Sequence, residues 1–198
     1  MVPFRSILVP LDGSALAEKS LTPALQLAKA MAVRAGETRV RLVLLRVVGP
    51  VALVAADPML YDELMRMGVD EAQSYLRAVV ETVDAGPVQV EVQAVSGAPA
   101  DAIVRYAEEH NIDLIVMSSH GRTGSSRWVY GSVAEKVLHH APCATVIIRA
   151  HVAVAMFQNR KILVPLDGSP LAERALEPAL AIAQAVQSDV TLLRVASG

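Results

Sequence analysis

A polar, glycine-bearing segment in the second half of the chain carries residue types that hold phosphate. It reads Ser118-Ser-His-Gly-Arg-Thr-Gly-Ser-Ser-Arg-Trp-Val-Tyr-Gly-Ser132 and leads directly into a predicted helix. Glycines let backbone N–H groups approach an anion, and a helix N-terminus adds unpaired donors and the positive end of its dipole. A structural turn is the alternative, because Ser132 and Glu135 have the spacing of a helix capping box. The segment is neither a P-loop nor a dinucleotide fingerprint, since both signatures are absent.

A carboxylate at the end of the first apolar run is the second candidate. Asp12, in Asp12-Gly-Ser14, has the chemistry to accept hydrogen bonds from ribose hydroxyls or an adenine amino group. The alternative is that it stabilises the turn before a helix, as Asp-Gly pairs often do. The dispersed histidines His120, His139 and His140 lack a carboxylate cluster and do not predict a metal site.

These candidates lie between elements that alternate strand and helix. The patterns predict strands at 6–9, 40–48, 88–95, 113–117 and 144–148, and helices at 15–35 with a kink at Pro23, at 61–83, from Pro99 to a C-cap at Asn111, and at 131–140. Such alternation is typical of an α/β fold with a parallel sheet and helices on both faces. Ligands in such sheets bind beyond the carboxyl ends of the strands, where the strand order reverses. Both candidates therefore converge on one crevice.

The chain contains an internal repeat. Ile7-Leu-Val-Pro-Leu-Asp-Gly-Ser14 recurs at 162–169, and both copies continue to Leu-Leu-Arg-Val, at 44–47 and at 192–195. Ser14 and Ser169 are predicted helix N-caps, because Pro170 follows Ser169 where the first helical residue would lie. We therefore predict one full domain at 1–150, a linker at 151–160 and a partial second copy, a β-α-β segment, at 161–198. Such a segment cannot bury its own apolar faces well. It must pack on its own domain, pair with another chain, or be part of a truncated tandem protein.

Composition excludes several classes of protein. The chain has 198 residues, of which 53% are hydrophobic and 19% charged, which excludes intrinsic disorder. A net charge of −2 gives no electrostatic case for nucleic acid or an anionic membrane. The single cysteine, Cys143, cannot form an intramolecular disulfide and is expected to be a small buried apolar residue. No apolar run reaches the ~18 uncharged residues of a membrane span, so we expect a soluble cytoplasmic protein.

Two blocks of sequence resemble the universal stress protein family. They are Val9-Pro-Leu-Asp-Gly-Ser14 and Ser119-His-Gly-Arg-Thr-Gly124, the latter followed by Gly131-Ser-Val-Ala-Glu-Lys-Val137 and Ala141-Pro-Cys143. The resemblance covers 5–149 as a full domain and 161–198 as the first part of another. It implies an open, Rossmann-like five-stranded parallel sheet in the order 3-2-1-4-5, with helices on both faces.

The family's ATP-binding members carry Gly-x-x-Gly, nine residues, then Gly-Ser or Gly-Thr. Here Gly121 and Gly131-Ser132 match, and Ser118 replaces the first glycine. The resemblance implies ATP as the cofactor, with Mg²⁺ arriving on the nucleotide. Hydrolysis would be slow at most, because no general base or set of metal carboxylates is poised for it.

The resemblance also implies a set of nucleotide contacts. Pro10 and Asp12 would line the ribose and adenine side, and the Val47 backbone would contact adenine. Met117 and Val133 would pack near the sugar and the phosphate entrance. The full set of implied nucleotide-binding residues is Pro10, Leu11, Asp12, Val47, Met117, Ser118, Gly121, Arg122, Gly124, Gly131, Ser132 and Val133.

Three functions remain open from the sequence. The first is an ATP-binding stress sensor, and the second is a dimeric interaction module of the same family that binds no nucleotide, which Ser118 favours. The third is a nucleotidyl transferase or ATP pyrophosphatase, whose signatures are absent. The run Ala144–Ile148 is apolar and uncharged, and such strand edges invite pairing. We therefore expect a homodimer through this edge, the C-terminal segment, or both.

Overall fold

The computed structural model describes residues 4–35, 40–50, 58–119, 130–149 and 161–194. Strands and helices alternate along most of the chain. In order they are β1 (Ser6–Pro10), α1 (Ala15–Glu18), α2 (Leu21–Ala35), β2 (Val40–Val48), α3 (Pro58–Glu81), β3 (Val88–Ser96), α4 (Pro99–Glu109), β4 (Leu114–Ser118), α5 (Ser132–His140), β5 (Ala144–Ile148), β6 (Lys161–Leu166), α6 (Pro170–Glu173), α7 (Leu176–Val186) and β7 (Asp189–Arg194).

The main sheet has five parallel strands in the order β3-β2-β1-β4-β5, which confirms the expected topology. Strand β1 pairs with β2 on one side, where Val9 lies opposite Leu44, and with β4 on the other, where Ile7 lies opposite Leu114. The chain moves outward from β1 to β3 and then crosses back to β4. The order therefore reverses between β1 and β4, which is where a ligand crevice forms in such sheets.

Helices cover both faces of this sheet. Ile7 and Val9 point into a core that includes Leu27 and Met31 of α2. Leu8, between them, points to the opposite face and packs with a core that includes Ile103 of α4. Because β1 is buried on both faces, it reads in sequence as a continuous apolar run rather than an alternating one.

The predicted helix over 15–35 is two helices, and the expected kink at Pro23 is wrong. The chain leaves α1 at Glu18, and the Ser20 hydroxyl donates to the Ala17 carbonyl at 2.6 Å. A new helix, α2, begins at Leu21, so Pro23 falls in its first turn. First-turn N–H groups have no intrahelical acceptor, and a proline there removes no hydrogen bond. The second copy repeats the arrangement, with Pro178 in the first turn of α7.

The predicted helix caps have two outcomes. Ser14 accepts a hydrogen bond from the Ala17 N–H at 3.1 Å, and Ser169 accepts one from Ala172 at 3.1 Å, so both predicted N-caps are confirmed. At the end of α4, His110 is the C-cap, and Asn111 follows it with a left-handed φ of 50°. The predicted C-cap at Asn111 is therefore one residue too late.

The partial second copy packs on the first. Strands β6 and β7 form a separate two-stranded parallel sheet. Helix α7 lies against α2, and Ala181, Ile182, Ala185 and Val186 extend the core of the first copy. Of the three arrangements expected for this segment, the structure shows the first, packing on its own domain. The predicted linker, 151–160, lies outside the described residues.

No helix in the described part of the chain has both the length and the apolar character needed to cross a membrane.

Candidate functional site

A pocket of about 520 Å³ opens at the carboxyl ends of β1, β2 and β4. Its volume is within the ~300–1,000 Å³ typical of small-molecule sites. Helices α3, α4 and α5 form its walls. The lining residues are Pro10, Leu11, Asp12, Ala17, Leu45, Arg46, Val47, Val48, Gly49, Gly68, Glu71, Pro99, Ile103, Met117, Ser118, Ser119, Gly131, Ser132, Val133 and Ala134.

Most of the predicted nucleotide contacts lie in this one pocket. Three others, Gly121, Arg122 and Gly124, lie outside the described residues. So do His120 and Arg127. The ligand contacts of Gly121, Arg122 and Gly124 stay predictions. The other nine of the twelve predicted nucleotide contacts all line this pocket: Pro10, Leu11, Asp12, Val47, Met117, Ser118, Gly131, Ser132 and Val133.

Asp12 stabilises a turn and also faces the pocket. Its Oδ1 accepts from the Ser14 N–H at 2.9 Å and from the Ser14 hydroxyl at 2.6 Å. Gly13 between them has a φ of 83°, a left-handed conformation that favours glycine. The two readings of Asp12 are compatible, because a carboxylate offers about four lone-pair sites on its two oxygens.

The N-terminus of α5 forms the opposite wall, and the capping box that supported the alternative interpretation, a structural turn, is absent. The N-cap is Gly131, which has no side chain to cap the helix, and Ser132 is the first helical residue. The Gly131 N–H donates to the Ser119 carbonyl, and its own carbonyl accepts from the Glu135 N–H, both at 2.9 Å. Because Gly131 takes the cap position, Ser132 lies one residue too late for the box and lines the pocket instead.

Ser118 is the last residue of β4 and lies at the pocket floor, 7% exposed. The resemblance places a glycine at this position in ATP-binding relatives. The adjacent Ser119 is anchored by its N–H, which donates to the Ile148 carbonyl at 2.9 Å. The serine hydroxymethyl group is small, and the pocket keeps its volume of about 520 Å³ with that group in place.

Two charged residues of the pocket lie outside the set of predicted nucleotide contacts. Arg46 lies at the end of β2 and Glu71 on α3. The Arg46 guanidinium carbon lies 4.7 Å from the centre of the Tyr75 ring, and the Tyr75 hydroxyl donates to Glu18 Oε1 at 2.7 Å. Burial, followed by the hydrogen bond to Glu18, raises the Tyr75 pKa well above its usual value. Glu71 and Tyr75 are four residues apart on α3, so they lie on the same face of that helix. This spacing was the signal in the sequence that could have placed both residues near one site.

The described residues contain no group of three His, Cys, Asp or Glu side chains able to hold a metal ion. Any Mg²⁺ at this pocket would take its ligands from phosphate and water.

Cys143 lies outside the pocket and is half-buried before β5. Burial raises the pKa of its thiol to about 11. Because the thiolate is the nucleophile, alkylation by iodoacetamide at pH 8 should be at least about tenfold slower in the folded protein than in urea. Folding stability should fall as pH rises towards 11, since the unfolded chain loses a proton there that the folded chain keeps.

Mass spectrometry of the alkylated chain measures that rate directly, because the protein has one cysteine. A folded-state midpoint near the ordinary thiol value, about 8.5, would contradict the expectation.

Comparisons with known proteins agree on one family. The model described as "Universal stress protein family" matches residues 3–149 and 158–198. A universal stress protein of Methanocaldococcus jannaschii is 30% identical over 148 residues, which are 74% of this chain and 82% of that protein. The solved universal stress protein UspA from Lactobacillus plantarum is 30% identical, with a TM-score of 0.60 over 75% of this chain and all of that one.

A longer solved structure matches both copies of the repeat. It is a universal stress protein from Archaeoglobus fulgidus, with a TM-score of 0.73 over 98% of this chain and 68% of its own length. Its identity is 24%, so the likeness concerns the fold alone.

Proposed function

Since the chain belongs to the universal stress protein family, we propose that it is a cytoplasmic sensor that binds ATP in the pocket at the ends of β1, β2 and β4. The observation that carries the proposal is the convergence of nine implied nucleotide contacts on one lining of suitable size. Binding, rather than turnover, is its function, and any hydrolysis is slow.

The distribution of charge in the pocket supports one orientation of the nucleotide. The N-terminus of α5 supplies backbone donors and the positive end of a helix dipole, which suits phosphates. Asp12 and Glu71 lie on the lining formed by β1 and α3, and their carboxylates suit the hydroxyl and amino donors of a nucleoside. The phosphates therefore lie towards α5 and the nucleoside towards β1 and β2.

The lining gives little support for efficient hydrolysis. No histidine is among the described residues that line the pocket, and the Asp12 carboxylate already holds the turn at Ser14. A general base must lie within hydrogen-bond reach of the attacking water, and the carboxylates of the described lining, Asp12 and Glu71, lie on the nucleoside side of the pocket. Ser132 would contact phosphate through its hydroxyl, and bound Mg²⁺ would neutralise phosphate charge.

The edge strand β5 supports a homodimer as the assembled form. Among the residues that the structure describes, strand β5 pairs with β4 alone, and it consists of Ala144–Ile148, with no charged residue. The opposite edge strand, β3, carries Gln89, Glu91 and Gln93. Such polar and charged side chains make an exposed strand edge less prone to pair with a strand of another chain. Light scattering at micromolar concentration should give twice the chain mass, and a monodisperse monomer would contradict the dimer.

The direct test of ATP binding is to denature the purified protein and identify released nucleotide by chromatography and mass spectrometry. We expect near-stoichiometric ATP or ADP, and we expect the emptied protein to bind added Mg·ATP by calorimetry. An empty protein that also ignores Mg·ATP would leave the dimeric interaction module as the better reading.

A variant pair localises the site. Gly131→Val places a branched side chain at the N-cap that lines the pocket and should abolish ATP binding. Ala98→Val makes a similar change at the N-cap of α4, outside the lining, and should leave binding unchanged. Equal losses in both variants would assign the effect to the fold rather than to the pocket.

A further inference from the structure

Arg46 is a cation held in place on the β2 side of the pocket. Its guanidinium carbon lies 4.7 Å from the Tyr75 ring centre, within cation–π range. The Tyr75 hydroxyl in turn donates to Glu18 Oε1 at 2.7 Å. Residues from α1, β2 and α3 thus fix the position of one guanidinium, and Arg46 is itself part of the lining.

The support for Arg46 persists at physiological pH. The Tyr75 hydroxyl is protonated at physiological pH, since the ordinary tyrosine pKa is about 10 and burial raises it further here, so it remains a donor to Glu18. A guanidinium keeps its charge at all physiological pH values, and its planar fork loses little freedom when it forms hydrogen bonds. Arg46 is therefore preorganised for a ligand before one arrives.

The internal repeat shows that this arrangement is not a property of the Leu-Leu-Arg-Val sequence alone. In the second copy, the equivalent Arg194 lies over the Asp-Gly turn, and a Cβ built on Gly168 would lie 3.3 Å from its Nη2. Arg46 has a partner that Arg194 does not have, the ring of Tyr75, which belongs to α3. The cation–π contact therefore depends on α3 as well as on the Leu-Leu-Arg-Val sequence.

From this geometry we propose that Arg46 selects the base of the bound nucleotide, favouring purines over pyrimidines, and that Tyr75 and Glu18 are its positioning residues. The inference rests on the proposed function, because it assigns the base end of the same pocket. With phosphates at α5, the nucleoside extends towards β2, where the guanidinium meets the base. A purine offers ring-nitrogen acceptors and a larger π-face than a pyrimidine, and Arg46 can use both.

The test measures the binding of ATP, CTP and inorganic tripolyphosphate to wild type, Arg46→Gln, Tyr75→Phe and Tyr75→Leu. Wild type should bind ATP at least about tenfold tighter than CTP, and Arg46→Gln should lose about tenfold in ATP affinity. CTP and tripolyphosphate affinities should stay within about twofold, since neither uses the Arg46 contact with a purine. Tyr75→Leu should lower the ATP-to-CTP ratio, whereas Tyr75→Phe keeps the ring and should retain part of it.

Arg77→Gln is the matched control, because Arg77 is exposed on α3, the helix that carries Tyr75, and lies outside the pocket lining. It should leave the ATP-to-CTP ratio unchanged. An unchanged ratio in Arg46→Gln, or an equal shift in Arg77→Gln, would overturn the role of Arg46 while ATP binding stands. A wild-type protein that binds neither ATP nor tripolyphosphate would overturn the proposed function together with this inference.

Discussion

Replacing Leu8 with alanine should lower the free energy of unfolding by about 2–5 kcal/mol, whereas Leu163→Ala should cost under about 1 kcal/mol. The two leucines occupy the same position in Ile-Leu-Val-Pro-Leu-Asp-Gly-Ser. Leu8 is 0% exposed between the sheet and α4, but Leu163 is 58% exposed on β6. The same local sequence therefore contributes different amounts to the free energy of unfolding in the two copies. Within the described residues, no helix of the second copy covers the face of β6 that carries Leu163.

Val164→Ala provides the control within the second copy. Val164 is 3% exposed on the face of β6 that α7 covers, so its truncation should cost about 1–2 kcal/mol despite the smaller side chain. Urea unfolding followed by circular dichroism measures the free energy of unfolding of all three variants. The comparison holds if the slope of that free energy against urea concentration is the same in each variant. A large loss of unfolding free energy in Leu163→Ala would show that another surface covers this face of β6 in solution. If that loss grows with protein concentration, the covering surface belongs to the second chain of a homodimer.

The contrast between the two copies explains why much of the fold was predictable from the sequence. The order of the five strands follows from the alternation of strand and helix together with the family resemblance, and the structure has that order. Local chemistry placed the caps at Ser14 and Ser169, because a hydroxyl three residues before an N–H is a short-range signal. Each of these features depends on neighbours in the sequence or on a repeated pattern.

The features that the sequence did not reveal have both local and tertiary causes. Pro23 predicts a kink from local rules, but the chain restarts its helix at Leu21, which places the proline in a first turn. Arg46 had no evident partner, because Tyr75 reaches it only when α3 packs on the sheet beside β2. The capping box at Ser132 failed because Gly131 takes the N-cap position. The Arg46 contact therefore depends on tertiary packing, whereas the helix restart recurs in the second copy, at α7, and so follows from local sequence.

Replacing Asp12 with alanine should weaken ATP binding by about 10- to 100-fold, whereas Asp167→Ala should leave it unchanged. Both aspartates hold the same turn: the Ser14 N–H donates to Asp12 Oδ1 at 2.9 Å, and the Ser169 N–H donates to Asp167 Oδ1 at 2.8 Å. Only Asp12 lies in the pocket lining. The pair therefore separates the loss of a turn from the loss of a ligand contact.

Stability supplies the second readout for this pair. Each substitution removes an acceptor from a serine that caps a helix, so each should lower the free energy of unfolding, by about 1 kcal/mol for the partly buried Asp12. The serine hydroxyl hydrogen bond lowers the pKa of Asp167, so its part of that stability is lost as pH falls through the folded pKa. Calorimetric titration with Mg·ATP and urea unfolding measure both quantities on the same samples. Equal ATP affinities in Asp12→Ala and wild type would limit Asp12 to the turn and place the ribose contacts elsewhere in the pocket.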